Sequence, residues 1–366
     1  MDRRRFLKTA AYAASAAYLL GPSRSAFAAK GFNPKNCYIP ANSATNMVSW
    51  AKKAPPYTIA VSNSYIGNSW RTEMMKIAKA FASKPEIKPL IKSFRAASSG
   101  NDVSAQIAEL NQLTLGGVDA IIVDAANPSG LNSAIDQAVD AGVLVVSFDN
   151  VVTTKKAVLC NENQYEMGLR RAKFVAKQIG GKGKVLLVRG VAGTFVDQEH
   201  AKAAHKVLHG HPQIQVIEVI GNWDDGTAQK VTANALATHP DIAGVVSGGG
   251  DTGVVRAFLQ ANKNMVPMAG EAENGFRRLA AKLQFPMLSV GNSPAEVAVS
   301  IRAALDILQG KQVPRSINIP LPIARTDTLK AGVNYFPDKS DSLYTDFNIP
   351  GCGTNFTLEE IESQKV

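Results

Sequence analysis

Val143-Leu144-Val145-Val146-Ser147-Phe148-Asp149-Asn150 reads as a buried strand that runs into two polar side chains. Its apolar residues do not alternate with polar ones. That pattern suits a strand covered on both faces, as in a parallel sheet flanked by helices. The same unit recurs on either side. Upstream, strands are expected at Tyr57–Val61, Leu90–Phe94 and Ala120–Val123, with helices near Ser69–Ala82, Asp102–Leu115 and Gly130–Ala141. In the second helix, Val103, Ile107, Leu110 and Leu113 form one buried stripe at a spacing of three to four. Asn101 and Ser129 are placed to cap the helices they precede.

Downstream the pattern restarts. Strands are expected at Lys184–Arg189, Ile214–Ile220, Ala243–Ser247, Val266–Ala269 and Met287–Val290. Helices near Glu166–Ile179, Val196–Leu208, Thr227–Ala237, Thr252–Ala261 and Gly275–Leu283 separate them, and Ala295–Gln309 leads to a last strand at Ile317–Ile323. Strands alternating with helices pair in parallel through right-handed crossovers. The expected fold class is therefore α/β, two doubly wound parallel-sheet lobes. In such sheets ligands bind beyond the carboxyl ends of the strands. Those ends carry Ser64, Asn68 and Trp70; Asp149 and Asn150; Trp223 between Asn222 and Asp224-Asp225; Asp251; Glu271; and Asn292. Two of the chain's three tryptophans thus stand at strand ends, one in each half.

The amino terminus reads as an address. Asp2-Arg3-Arg4-Arg5-Phe6-Leu7-Lys8 precedes a short alanine-rich apolar run, a Gly21-Pro22 break and Ala26-Phe27-Ala28. That order is a removable export signal of twin-arginine type over residues 1–28, with cleavage near Ala28-Ala29 and a periplasmic destination. About 340 residues remain, enough for two cores. Of the net charge of +10, the signal carries +4 and the rest about +6. That charge is scattered and not interleaved with aromatics, so no nucleic-acid partner is expected. Cys37, Cys160 and Cys352 lack metal-ligand spacing; Cys160 reads as a buried thiol, and a bridge between Cys37 and Cys352 would tie the two terminal extensions together.

The chain resembles the periplasmic sugar-binding proteins of ABC importers, the ribose/galactose-binding group with the type I fold. The resemblance rests on Thr58-Ile-Ala-Val with Asn68-Ser69-Trp70, Val145-Val-Ser-Phe-Asp149-Asn150, Arg189-Gly-Val-Ala-Gly-Thr194 and Pro240-Asp241-Ile-Ala-Gly-Val-Val. It covers about residues 55 to 325. It implies a three-segment hinge with crossings near Asn150–Glu162, Asn292–Pro294 and Ala324–Asp327. The division it implies is residues 29–54 as an N-terminal extension, 55–155 plus 293–324 as lobe 1, 156–292 plus 325–336 as lobe 2, and 337–366 as a C-terminal extension. Ser64, Asn68 and Trp70 then match first-loop contacts, Asp149 the carboxylate that takes paired hydroxyls, and Trp223 the aromatic wall of the second lobe. Glu271 replaces an Asp, and Asn292 a Gln or Asn. Asn150 and Gln198 stand where the family has arginines, and Gly250 falls near a usual amide ligand, with Asp251 beside it as a cap or hinge acceptor. A pocket with carboxylates and without cations is expected, suited to a sugar or polyol. The resemblance implies a monomeric, non-enzymatic solute receptor without cofactor or metal, which hands its ligand to ABC permease subunits.

Other classes compete. Gly248-Gly249-Gly250-Asp251-Thr252-Gly253 has the G-x-G-x-x-G form, with Glu271 about twenty residues on, as in a NAD(P)-dependent oxidoreductase. A repressor sharing the fold would need a DNA-binding headpiece where the export signal stands. His200, His205 and His209 at helical spacing read as solvated polarity rather than a metal face.

Overall fold

In the computed structural model, which describes residues 31–366, strands and helices alternate from end to end. The expected export signal lies outside the described residues. The first half contains α1 (Pro34–Cys37), β1 (Ile39–Pro40), β2 (Tyr57–Asn63), α2 (Ser69–Ala82), β3 (Ile91–Ser98), α3 (Val103–Leu115), β4 (Ala120–Asp124), α4 (Asn132–Asp140), β5 (Leu144–Ser147) and β6 (Val158–Glu162). The second contains α5 (Gln164–Gln178), β7 (Lys182–Arg189), α6 (Phe195–Leu208), β8 (Gln213–Ile220), α7 (Asp225–Thr238), β9 (Ile242–Ser247), α8 (Asp251–Gln260), β10 (Met268–Gly270), α9 (Asn274–Leu283) and β11 (Met287–Val290). Then come α10 (Glu296–Leu308), β12 (Ser316–Ile319), β13 (Ile323–Arg325) and α11 (Leu358–Glu362).

One sheet has the order β1-β12-β6-β5-β4-β2-β3 and the other β13-β11-β10-β9-β7-β8. Every pairing within the sheets is parallel except β1 with β12 and β13 with β11. This is the expected two-lobed α/β fold. On one face of the first sheet, α2 and α10 bury Met74, Ile77, Phe81, Val297, Ile301 and Leu305; on the other, α3 and α4 bury Leu110, Leu113 and Ile135. Each such side chain contributes about 1.5–3 kcal/mol by leaving water. Helix starts are fixed by side chains that accept the first free amides. Asn68, Asp102, Asn163, Thr194 and Asp224 cap α2, α3, α5, α6 and α7. Much of the polarity at the strand ends is therefore capping.

Several expectations change. Residues 158–162, expected in lobe 2, form β6 inside the first sheet, beside β5. The strand expected at Ile317–Ile323 divides at Pro320 and Pro322, neither of which can donate a ladder hydrogen bond. β12 stays in the first sheet and β13 joins the second. The third crossing thus falls at residues 320–322, earlier than expected. Helix α3 is capped by Asp102 rather than Asn101, and the turn before α4 is held by Asn127, whose Oδ1 accepts from the Ser129 and Gly130 amides.

The terminal extensions are built into the fold. Cys37 and Cys352 are joined in a disulfide, and both are buried. After β13 the chain lies on the second lobe, where Asn274 Nδ2 donates to the carbonyls of Phe336, Lys339 and Ser340 and Arg277 pairs with Asp346. It then returns to the first lobe, whose core takes Phe347, Ile349 and Phe356. This strap is a fourth passage between the lobes, beyond the three the resemblance implied.

Candidate functional site

The strand-end rims of the two sheets face one another across a small polar space. The first half supplies Asn68, Trp70 and Arg71 from the start of α2, and Asp149 from the turn after β5. The second supplies Val196 at the start of α6, Trp223 after β8 and Glu271 after β10; Asn292 enters from the second crossing and Tyr344 from the strap. The room left among them is about 20 Å³, enough for about one water.

Asp149 is central. Its backbone is left-handed, with φ 49°, a conformation Asp tolerates better than most residues. Its Oδ1 accepts from Asn292 Nδ2 at 3.2 Å, and its Oδ2 accepts from Asn150 Nδ2 at 2.8 Å and Arg71 Nη2 at 3.2 Å. Burial pushes its carboxyl up while Arg71 pulls it down, and the net direction is upward. Arg71 is only 2% exposed. It pairs with Asp124 as well as Asp149, donates to Asn63 Oδ1 at 2.8 Å, and lies 5.4 Å from the ring centroids of both Tyr65 and Trp70. Burial lowers its affinity for the proton and Asp149 raises it.

The tryptophans are held differently. Trp70 is buried and donates Nε1–H to the Asn292 carbonyl at 2.8 Å. Trp223, half-exposed with φ 57°, lies against glycines: a Cβ on Gly190 would stand 1.9 Å from its Nε1, and one on Gly249 would stand 3.1 Å from its Cδ1. Gly190 thus leaves no room for a side chain against the indole, and Gly249, with φ 123°, takes a backbone conformation that other residues rarely adopt. Glu271 accepts from Arg171 Nη2 at 3.4 Å on Oε1 and from the Tyr344 hydroxyl at 3.2 Å on Oε2. Burial pushes its carboxyl up to about 8 despite Arg171. The rims are also bonded directly: Asn150 Oδ1 accepts the Val196 amide at 3.1 Å, and Asn292 Oδ1 accepts from Gln164 Nε2 at 3.2 Å.

A family model described as a periplasmic binding protein domain matches residues 59–312. The chain belongs to the periplasmic binding protein family. It is similar to an ABC transporter solute binding protein of Thermobispora bispora, at TM-score 0.69 and 30% identity over 73% of this chain and 84% of that one. Among curated relatives, a ribose import binding protein of Bacillus subtilis is 26% identical over 75% of this chain and 90% of its own length. A xylitol-binding protein of Mycolicibacterium smegmatis is 24% identical over 65% of this chain and 70% of its own. An ABC transporter solute binding protein of Bacillus halodurans with bound myo-inositol shares the fold at TM-score 0.68 and 19% identity, over 76% of this chain and 97% of that one.

Of the residues expected at the site of this periplasmic binding protein, Asn68, Trp70, Asp149, Trp223, Glu271 and Asn292 line the common space. Four do not. Ser64 is buried beneath the first loop, where its carbonyl accepts from Asn101 and Ser99. Asn150 braces Asp149 and the opposite rim. Gln198 is exposed on α6 and donates to the Gly193 carbonyl at 3.1 Å. Asp251 sits behind Glu271 and accepts its amide at 2.5 Å. The expectation of a rim without cations is also overturned: Arg71 stands in it and Arg171 behind it. An arginine directly after a strand-end tryptophan, in a chain with carboxylates at the other strand ends, was the available signal.

The glycine turn is already filled. Glu273 Oε1 accepts the Gly250 amide at 2.7 Å, and its Oε2 accepts the Thr252 amide and hydroxyl, each at 2.8 Å. A buried carboxylate thus occupies the place at the start of α8 where a dinucleotide phosphate would bind. Of His200, His205 and His209, the first is buried and bonds Gln164 Oε1 through Nε2, and the second faces Glu218. Among the described residues no His, Cys, Asp or Glu cluster could hold a metal ion.

Proposed function

We propose that this chain is an exported receptor that takes a small, neutral, hydroxylated solute, a sugar or polyol, between its lobes and presents it to an ABC import permease. The observation that carries the reading is the facing pair of rims. Trp70 and Trp223 offer apolar ring surface, and Asp149, Glu271, Asn292 and Arg71 offer paired acceptors and donors to vicinal hydroxyls. Charge counts against an anionic guest. Arg71 is already matched by two carboxylates, Asp124 and Asp149, and Arg171 faces Glu271 behind the rim, so an anion would find no uncommitted cation among these groups. Relatives named for ribose and xylitol fit the same class. With space for about one water, a monosaccharide enters only when the rims part, by the hinge opening and closing around a ligand that periplasmic binding proteins perform. Delivery to the periplasm would use twin-arginine export with cleavage near Ala28-Ala29. The receptor works as a monomer, by binding rather than catalysis, with no nucleic-acid partner.

The test is a thermal-shift panel of pentoses, hexoses, polyols and amines. A binder at 100 times its Kd stabilises by about 2.7 kcal/mol. Trp223→Ala should then weaken the best ligand by about 1.5 kcal/mol or more, the scale of a buried aromatic anchor. No shift with any sugar or polyol refutes the reading.

A further inference from the structure

We propose that Tyr344, supplied by the C-terminal strap, is a ligand-contacting residue that sets which hydroxylated solute the site accepts. The inference rests on the receptor reading above and goes beyond it, because Tyr344 lies outside residues 59–312, the segment that matches the family.

Its placement is what carries the argument. Tyr344 is 3% exposed, lines the same space as Trp70, Trp223 and Asp149, and puts its hydroxyl 3.2 Å from Glu271 Oε2 and 3.5 Å from Glu273 Oε1. A phenol has one proton and two lone pairs. Donating to Glu271 leaves an acceptor beside that carboxyl, so the pair can read two neighbouring hydroxyls of a guest. The ring also walls the space where the strap crosses.

The residue is held to this place from both lobes. Its amide donates to Glu73 Oε2 on α2 at 3.0 Å, and Tyr344 bridges to Glu273. On either side, the Asn274 amide donates to the Leu343 carbonyl at 2.7 Å, and the Thr345 amide to the Ala272 carbonyl at 2.9 Å. Arg277 anchors both Thr345 and Asp346. A side chain whose backbone is bonded before and after it is pre-organised, so little ordering cost is left for the guest to meet.

The test is titration calorimetry of wild type, Tyr344→Phe and Tyr344→Ala against a panel of pentoses, hexoses and linear and cyclic polyols. Unfolding midpoints without ligand are measured alongside. Tyr344→Phe keeps the ring and removes the hydroxyl. It should bind the best wild-type ligand about threefold to tenfold more weakly, the range of one net hydrogen bond, and should reorder epimers that differ at one hydroxyl. Tyr344→Ala should narrow the gap between the best and second-best ligands at least about fivefold, on the same scale. Should the alanine variant fail to fold, the phenylalanine variant decides. Equal affinities and an unchanged ranking in Tyr344→Phe overturn the role of Tyr344 and leave the receptor standing. A wild-type protein that binds nothing on the panel overturns both.

Discussion

Breaking the Cys37–Cys352 bridge should cost this protein a large part of its stability without touching the site. The bridge joins residues 315 apart in sequence. In the chain-entropy treatment, closing a loop of about 315 residues removes about 19 cal/mol/K from the unfolded chain, or about 5.7 kcal/mol at 25 °C. That is a ceiling, since real unfolded chains are already partly compact. The expected loss is about 3–5 kcal/mol. At roughly 2.1 cal/mol/K per residue, a chain of about 340 residues unfolds with about 0.7 kcal/mol/K, so 4 kcal/mol lowers Tm by about 6 °C. The assay is urea unfolding of wild type with and without reductant, beside Cys37→Ala/Cys352→Ala. Reductant removes the crosslink while keeping both sulfur atoms, so it separates chain entropy from the packing lost in the alanine variant. Wild type should weaken in reductant and the double variant should not respond. Both cysteines belong to the first lobe's core, so ligand affinity should stay unchanged. A wild-type midpoint that is the same with and without reductant would refute the reasoning.

Two more outcomes are expected from particular contacts. Gly190→Ala should move Trp223, because the new Cβ must gain about 1.5 Å of clearance from the indole to reach ordinary contact distance; ligand affinity should fall and Trp fluorescence change, and wild-type values of both would count against the close seating of Trp223 on Gly190. Glu73, under the strap, is pushed up to about 8 by burial. A carboxyl held above its unfolded value near 4.5 keeps its full contribution below pH 4.5 and loses it as pH rises towards 8, at about 1.4 kcal/mol per pH unit. Urea midpoints at pH 5 and pH 8 should therefore differ less in Glu73→Gln than in wild type. Glu271 keeps a similar slope in both proteins, and equal differences would remove Glu73 from the account.

The two-lobed fold was legible because its strands are short β-branched runs and its helices carry one apolar stripe. Helix Ser69–Ala82 falls where its periodicity placed it. β6 was hidden because its apolar core is only Val158-Leu159-Cys160 and two lysines precede it; pairing with β5 and β12, not its own pattern, makes it a strand. Trp70, Asp149, Trp223 and Glu271 were found because strand ends in such sheets converge. Arg71 was missed because an arginine on a helix reads as surface until Asp124 and Asp149, distant in sequence, are seen to bury with it. The strap has no period at all. It is held largely by two side chains distant in sequence, Asn274 and Arg277, each with several bonds to it, and nothing local announces them.

That strap has a consequence for how such a receptor can diversify. Tyr344 comes after both sheets in the chain and hydrogen-bonds to neither sheet's ladder. Both sheets can be complete on the ribosome while the recess still lacks one wall, so the recess takes its final shape only when the last stretch has threaded back. Changes near residue 344 can then retune the choice of guest while every strand register stays as it was.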